Sequence, residues 1–125
     1  MCFQDKKLER LVPPRELCQK IPAGKFADSA LAWQCTMFLS SMPPKHVWEV
    51  KPRSECFGHE DAPAPTLEEI MDELVCRTNE PCVQWNGGWY VSGDRLNGKG
   101  RPEAHNPVSS VTAAMKLWLK VEGIE

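Results

Sequence analysis

The pentapeptide Trp85-Asn86-Gly87-Gly88-Trp89 constrains the fold of this chain more than any other stretch. Asn-Gly is the favoured pair for a tight hairpin turn, because both residues tolerate the positive φ of a primed turn. Short segments rich in β-formers flank it, Pro81-Cys82-Val83-Gln84-Trp85 before and Trp89-Tyr90-Val91-Ser92 after. Side chains alternate along a strand, so Val83 and Trp85 share one face, as do Trp89 and Val91. A hairpin is expected here.

A looser hairpin is expected upstream. Over Ser29 to Met37, alternation places Leu31, Trp33, Cys35 and Met37 on one side, with Ala30, Ala32, Gln34 and Thr36 on the other. After a break containing Pro43-Pro44, His46 to Lys51 turns Trp48 and Val50 inward and Glu49 and Lys51 outward. The tryptophans at 33, 48, 85 and 89 all coincide with the apolar positions, so core packing is the expected role of these indoles, with stacking on nucleic-acid bases the alternative that an exposed indole would favour.

Three helices are expected around the strands. Pro13-Pro14 open a short one from Arg15 to Ile21, which Pro22 and Gly24 stop. Thr66 with Glu69 three residues on forms a capping box, and Leu67, Ile70, Met71, Leu74 and Val75 follow at helical spacing. The last helix takes Asn106 as cap and Pro107 in its first turn. Its apolar stripe is Val108, Val111, Met115 and Trp118, widened by Ala114, Leu119 and Val121, and Gly123 ends it. Residues 52–65 and 93–106 read as loops, and residues 1–12 as a polar lead-in, either flexible or packed down through Leu8, Leu11 and Val12.

The expected fold is α+β: a four-stranded antiparallel sheet covered by helices, in the order α-β-β-α-β-β-α. At 125 residues the chain suits a single domain over 1–125. The two helix–strand–strand units resemble each other in pattern, though similar hydrophobic spacing without repetition accounts for that more simply.

Composition narrows the function classes. Hydrophobic residues at 42% and charged residues at 26% are ordinary for a globular, soluble protein. A net charge of −2 removes the usual electrostatic warrant for sequence-independent nucleic-acid binding. No apolar run approaches the ~20 residues that span a bilayer, so no membrane role is expected. The start, Met1-Cys2-Phe3-Gln4-Asp5-Lys6-Lys7, does not read as an export signal, and the expected compartment is the cytoplasm, with the six cysteines reduced.

Several motifs invite chemistry. Cys56 and His59, with Cys76 and Cys82 further on, supply zinc-ligand types, but the second pair is separated by five residues and lacks the tight spacing of structural sites. His46, His59 and His105 accompany several cysteines, yet no local signature pairs a thiol with a base. No cofactor or metal is therefore expected, and no catalytic residue is assigned. The stretch Gly93-Asp94-Arg95-Leu96-Asn97-Gly98-Lys99-Gly100-Arg101 is the best candidate site. Its amides and the cations of Arg95, Lys99 and Arg101 suit a phosphate or nucleic-acid contact, although a surface loop without the phosphate-loop pattern is the simpler reading.

Pro63-Ala64-Pro65-Thr66-Leu67-Glu68-Glu69-Ile70, then Gly88-Trp89-Tyr90-Val91, then Asn106-Pro107 leading to Ala113-Ala114-Met115-Lys116-Leu117-Trp118-Leu119, form a layout over residues 62–122. It resembles that of small uncharacterised proteins of phages and prophages in gut bacteria, the phage ABA-sandwich group among them. The resemblance implies a sheet-and-helix fold and phage ancestry, with no catalytic or binding residue to carry over. The expected function is a non-enzymatic accessory or interaction protein that binds a protein partner or itself. The alternatives are a nucleic-acid-binding module using the 93–101 loop and, more weakly, a small metal-binding or thiol-dependent protein.

Overall fold

Local signals begin to act at Thr66. Its hydroxyl accepts the Glu69 amide at 3.4 Å while Glu69 Oε1 accepts the Thr66 amide at 2.8 Å, so two backbone donors at the helix start are satisfied reciprocally. In the computed structural model, which describes residues 9–38, 45–55, 62–96 and 100–124, three α-helices and six strands form among the described residues. The helices are α1 (Arg15–Cys18), α2 (Leu67–Arg77) and α3 (Ser110–Glu122). The strands are β1 (Leu31–Phe38), β2 (Lys45–Pro52), β3 (Ala62–Pro63), β4 (Thr78–Trp85), β5 (Trp89–Arg95) and β6 (Glu103–Asn106).

The class is α+β with antiparallel pairing, as expected, but the strands make two three-stranded sheets and not one sheet of four. Their orders are β2-β1-β3 and β4-β5-β6. Both expected hairpins form, β1 with β2 from Leu31↔Pro52 to Phe38↔Lys45, and β4 with β5 up to Trp85↔Trp89. Neither pairs with the other, because each inner strand recruits its own third partner. Ala62–Pro63 joins β1 opposite Ala32 and Trp33, and Glu103–Asn106 joins β5 opposite Trp89 to Ser92. Both added strands come from segments expected to be loops, being two and four residues long and without apolar alternation. The sheets differ in plan: the first is centred on its first strand and the second on its second. That mismatch favours similar patterning over internal repetition.

The turn after β4 also differs from a two-residue primed turn. Three residues, 86–88, lie between the paired tryptophans, and only Gly87 among them has positive φ, +70°. The left-handed residue that three-residue hairpin loops need falls on glycine, where it costs least.

Helix boundaries shift for identifiable reasons. α1 stops at Cys18, and the chain continues to Ile21 through tighter turns, with the Lys20 amide on the Leu17 carbonyl and the Ile21 amide on the Cys18 carbonyl. Asn106 does not cap α3. It ends β6, and its Oδ1 accepts the Val108 and Ser109 amides at 3.0 and 2.8 Å, making a turn that delivers Ser109 as the cap, with Thr112 N on its Oγ at 3.2 Å. Val108 thus lies ahead of the helix, 83% exposed, and is not part of the buried stripe. Gly123 closes α3 at φ +73° as expected.

α3 is the centre of the larger core. Val111 to Met115 and Leu117 to Leu119 are buried, so the helix is enclosed on most sides and not merely laid on a sheet. It packs over β5 and β6 and against α2, bringing Ile70, Leu74, Val91 and Ala104 into one cluster. Burial of each large side chain here contributes about 1.5–3 kcal/mol. Trp118 receives the edge of Phe26 at 4.9 Å. Phe26 itself sits at φ +56°, a conformation costing roughly 1–2 kcal/mol for an L-residue, which the ring contact offsets. A second cluster joins Val12, Cys18, Leu31, Trp33, Val50, Ala62 and Ala64, and Ile21 packs against both. Val75, expected on the inner stripe of α2, is 62% exposed, and Cys35 is exposed on β1.

Candidate functional site

β4 enters its sheet abruptly. Thr78 caps α2 through its hydroxyl, which donates to the Leu74 carbonyl at 2.7 Å, and the strand starts at that same residue. Between Asn79 and Cys82 the register slips, and Glu80 takes φ +51° in the bulge. The bulge turns the Glu80 carbonyl and the Cys82 side chain towards Arg101, two residues before the start of β6.

Arg101 is held from four directions. Nε donates to Ser92 Oγ at 3.2 Å, and Nη2 donates to the Glu80 carbonyl at 3.0 Å and to Cys82 Sγ at 3.3 Å. Nη1 pairs with Asp94 Oδ1 at 3.1 Å. Cys82 Sγ also lies 3.6 Å from Ser92 Oγ, its cross-strand neighbour. These contacts favour the thiolate: hydrogen bonding to Ser92 first, then to Arg101, holds the Cys82 thiol below its ordinary range.

The three cations expected to cooperate in the 93–101 loop are therefore placed differently from one another. All three Arg101 nitrogens are engaged within the protein. Arg95 ends β5 with an exposed side chain, its amide donating to the Gly100 carbonyl at 3.2 Å. Lys99 lies outside the described residues, as do Cys56 and His59 of the zinc reading. Among the described residues, no group of three or more His, Cys, Asp or Glu is placed to hold a metal. His105 packs on Tyr90 at 4.5 Å, two cross-strand rows along from Cys82 and Ser92.

The indoles do not all face inward. Trp33 is buried, Trp48 and Trp89 are half-buried, and Arg15 covers the Trp48 ring at 3.7 Å. Trp85 is 60% exposed. α3 spans β5 and β6, leaving the far end of β4 uncovered, so the last indole before the turn projects. It meets Trp89 edge-on at 5.2 Å. Trp89, Trp33, Val12, Pro14 and Val108 line a cleft of about 820 Å³ between the two sheets.

The pairing of Cys82 with Ser92 follows from the turn: once Trp85 faces Trp89, counting back along both strands brings the two together. Arg101 had no such signal, because nothing local marks β6 as a strand.

Scans against protein-family models, curated proteins and solved structures each found no match to this chain. No helix among the described residues is long and apolar enough to cross a membrane.

Proposed function

We propose that this chain is a non-catalytic accessory protein of phage or prophage derivation, acting in the cytoplasm by assembling with a second copy of itself. The observation that carries this reading is Trp85, an indole 60% exposed and in edge contact with Trp89, which lines a cleft of mixed character together with Trp33, Val12, Glu9 and Arg10. A projecting knob and an open hole on one surface are what an isologous two-fold contact needs, since each copy then offers what the other lacks. Trp is also the residue type most enriched among side chains that dominate interface energy. Val108, 83% exposed at the cleft rim, extends the apolar area. The derivation rests on the resemblance of residues 62–122 to small phage and prophage proteins.

Sedimentation or light scattering over a concentration series tests the reading. Wild type dimerises with rising concentration, and Trp85→Ser, a surface change, gives a folded monomer. A wild-type chain that stays monomeric at every concentration overturns it. The nucleic-acid alternative is weakened by the engagement of Arg101, and retention on single-stranded DNA at low salt would restore it.

A further inference from the structure

The cleft between the two sheets is lined from three separate stretches of chain. Glu9 and Arg10 come from the segment ahead of α1, Trp33 and Trp89 from the two sheets, and Ser109 and Ser110 from the start of α3. Val12, 3% exposed in the smaller core, anchors that first segment, and Arg10 two residues earlier is exposed. The cleft therefore presents two indoles together with one anion and one cation at adjacent positions. An aliphatic side chain entering it would use the indoles and leave both charges uncompensated. An indole uses all four groups. Its ring faces carry negative charge density and attract a guanidinium, and its positive edge ends in an N–H that donates to a carboxylate. The chain makes the first of these contacts elsewhere, with Arg15 over the Trp48 ring at 3.7 Å.

The exposed indole of the same molecule, Trp85, stands on a tip suited to entry. Residues 84–88 carry no ionisable side chain, so burying them strips no charge of their own from water. Resting on the self-association reading, we propose that the cleft is a tryptophan-recognition site whose occupant is Trp85 of the second copy, with Arg10 on the ring face and Glu9 accepting from the indole N–H. Trp33 and Trp89 supply apolar contact, while Arg10 and Glu9 make the site select an indole over another apolar side chain. A two-fold axis repeats the contact, each copy giving one indole and receiving one.

Sedimentation equilibrium on the full chain measures the dimer dissociation constant, with circular dichroism checking each variant's fold. Arg10→Gln raises the constant at least about fivefold, the effect of a modest cation–π contact made twice. Arg10→Lys, which keeps the charge, raises it less. Glu9→Ala raises it in the wild type and not in the Trp85→Phe chain, which keeps a ring and lacks the N–H. Free indole added to the wild type shifts dimer towards monomer, a readout that needs no variant. A dimer lost in Trp85→Ser but unmoved by Arg10→Gln and by indole overturns this site and leaves self-association standing. A wild type that stays monomeric overturns both.

Discussion

Glu69 ties the first strand to the second helix. Its Oε1 accepts the Thr66 amide at 2.8 Å, and its Oε2 accepts the Ala30 amide at 3.2 Å, across 39 residues of sequence. One carboxylate thus closes a helix cap and holds the entry to β1. Glu69→Ala is expected to cost about 1–3 kcal/mol, more than the ~1 kcal/mol of Thr66→Ala, because it removes a local and a long-range bond together. Glu69→Gln falls between, since one face of the amide presents a donor where an acceptor is needed. Urea unfolding of the three variants measures the order.

Phe26 and Trp118 test how much of the larger core rests on one aromatic contact. Trp118→Ala is expected to cost about 3–5 kcal/mol, since its side chain is fully buried. A double-mutant cycle with Phe26→Ala should return a coupling of roughly 0.5–1.5 kcal/mol for the edge-on pair. Val75→Ala, on the exposed side of α2, is expected to stay within about 0.5 kcal/mol.

Two glycines in or beside the second sheet separate crowding by a short, buried side chain from crowding by one that can turn aside. A Cβ at Gly93 would lie 2.6 Å from Thr78 Oγ1 and 2.9 Å from Thr78 Cβ, close to the main chain of the α2–β4 junction. A Cβ at Gly88 would meet the ring of His105 at 2.6 Å, and that exposed ring can turn aside. Gly93→Ala is therefore expected to cost about 1–3 kcal/mol, and Gly88→Ala clearly less. Thermal melts compare them, and the His105 ring signals should move in Gly88→Ala.

Cys18 gives the chain an alkaline weakness. Burial, opposed by the Trp33 indole and reinforced by Glu16, pushes its thiol from 9.0 up to about 12. Above pH 9 the unfolded thiol loses its proton first while the native one keeps it. The unfolded state then binds fewer protons, so stability falls as pH rises from about 9 towards 12, by at most ~1.4 kcal/mol per pH unit. Unfolding midpoints across that window should fall more steeply for wild type than for Cys18→Ala.

Wherever one short segment carried a complete signal, the sequence was enough. The Thr66–Glu69 cap, the Gly123 stop, the Trp85–Trp89 hairpin and the pairing of Leu31–Phe38 with Lys45–Pro52 each depend on neighbours in the chain or on a strong period of two. The antiparallel α+β class follows from these. Cys82 faces Ser92 because the loop holds three residues; a two-residue turn at Asn86-Gly87 would have set it opposite Val91.

Tertiary structure decided the rest. Ala62–Pro63 is too short and Glu103–Asn106 too short and polar to announce themselves as strands, and they become so only because β1 and β5 each present an unpaired edge that must be satisfied. Their capture split the expected single sheet in two and brought Arg101 against Cys82. The exposure of Trp85 was decided in the same way, since alternation assigns a face but not whether a helix reaches far enough to cover it.

The one physical reason is range: caps, turns and alternation are settled within a few residues, whereas an edge is filled and an indole covered by whatever the rest of the chain brings near.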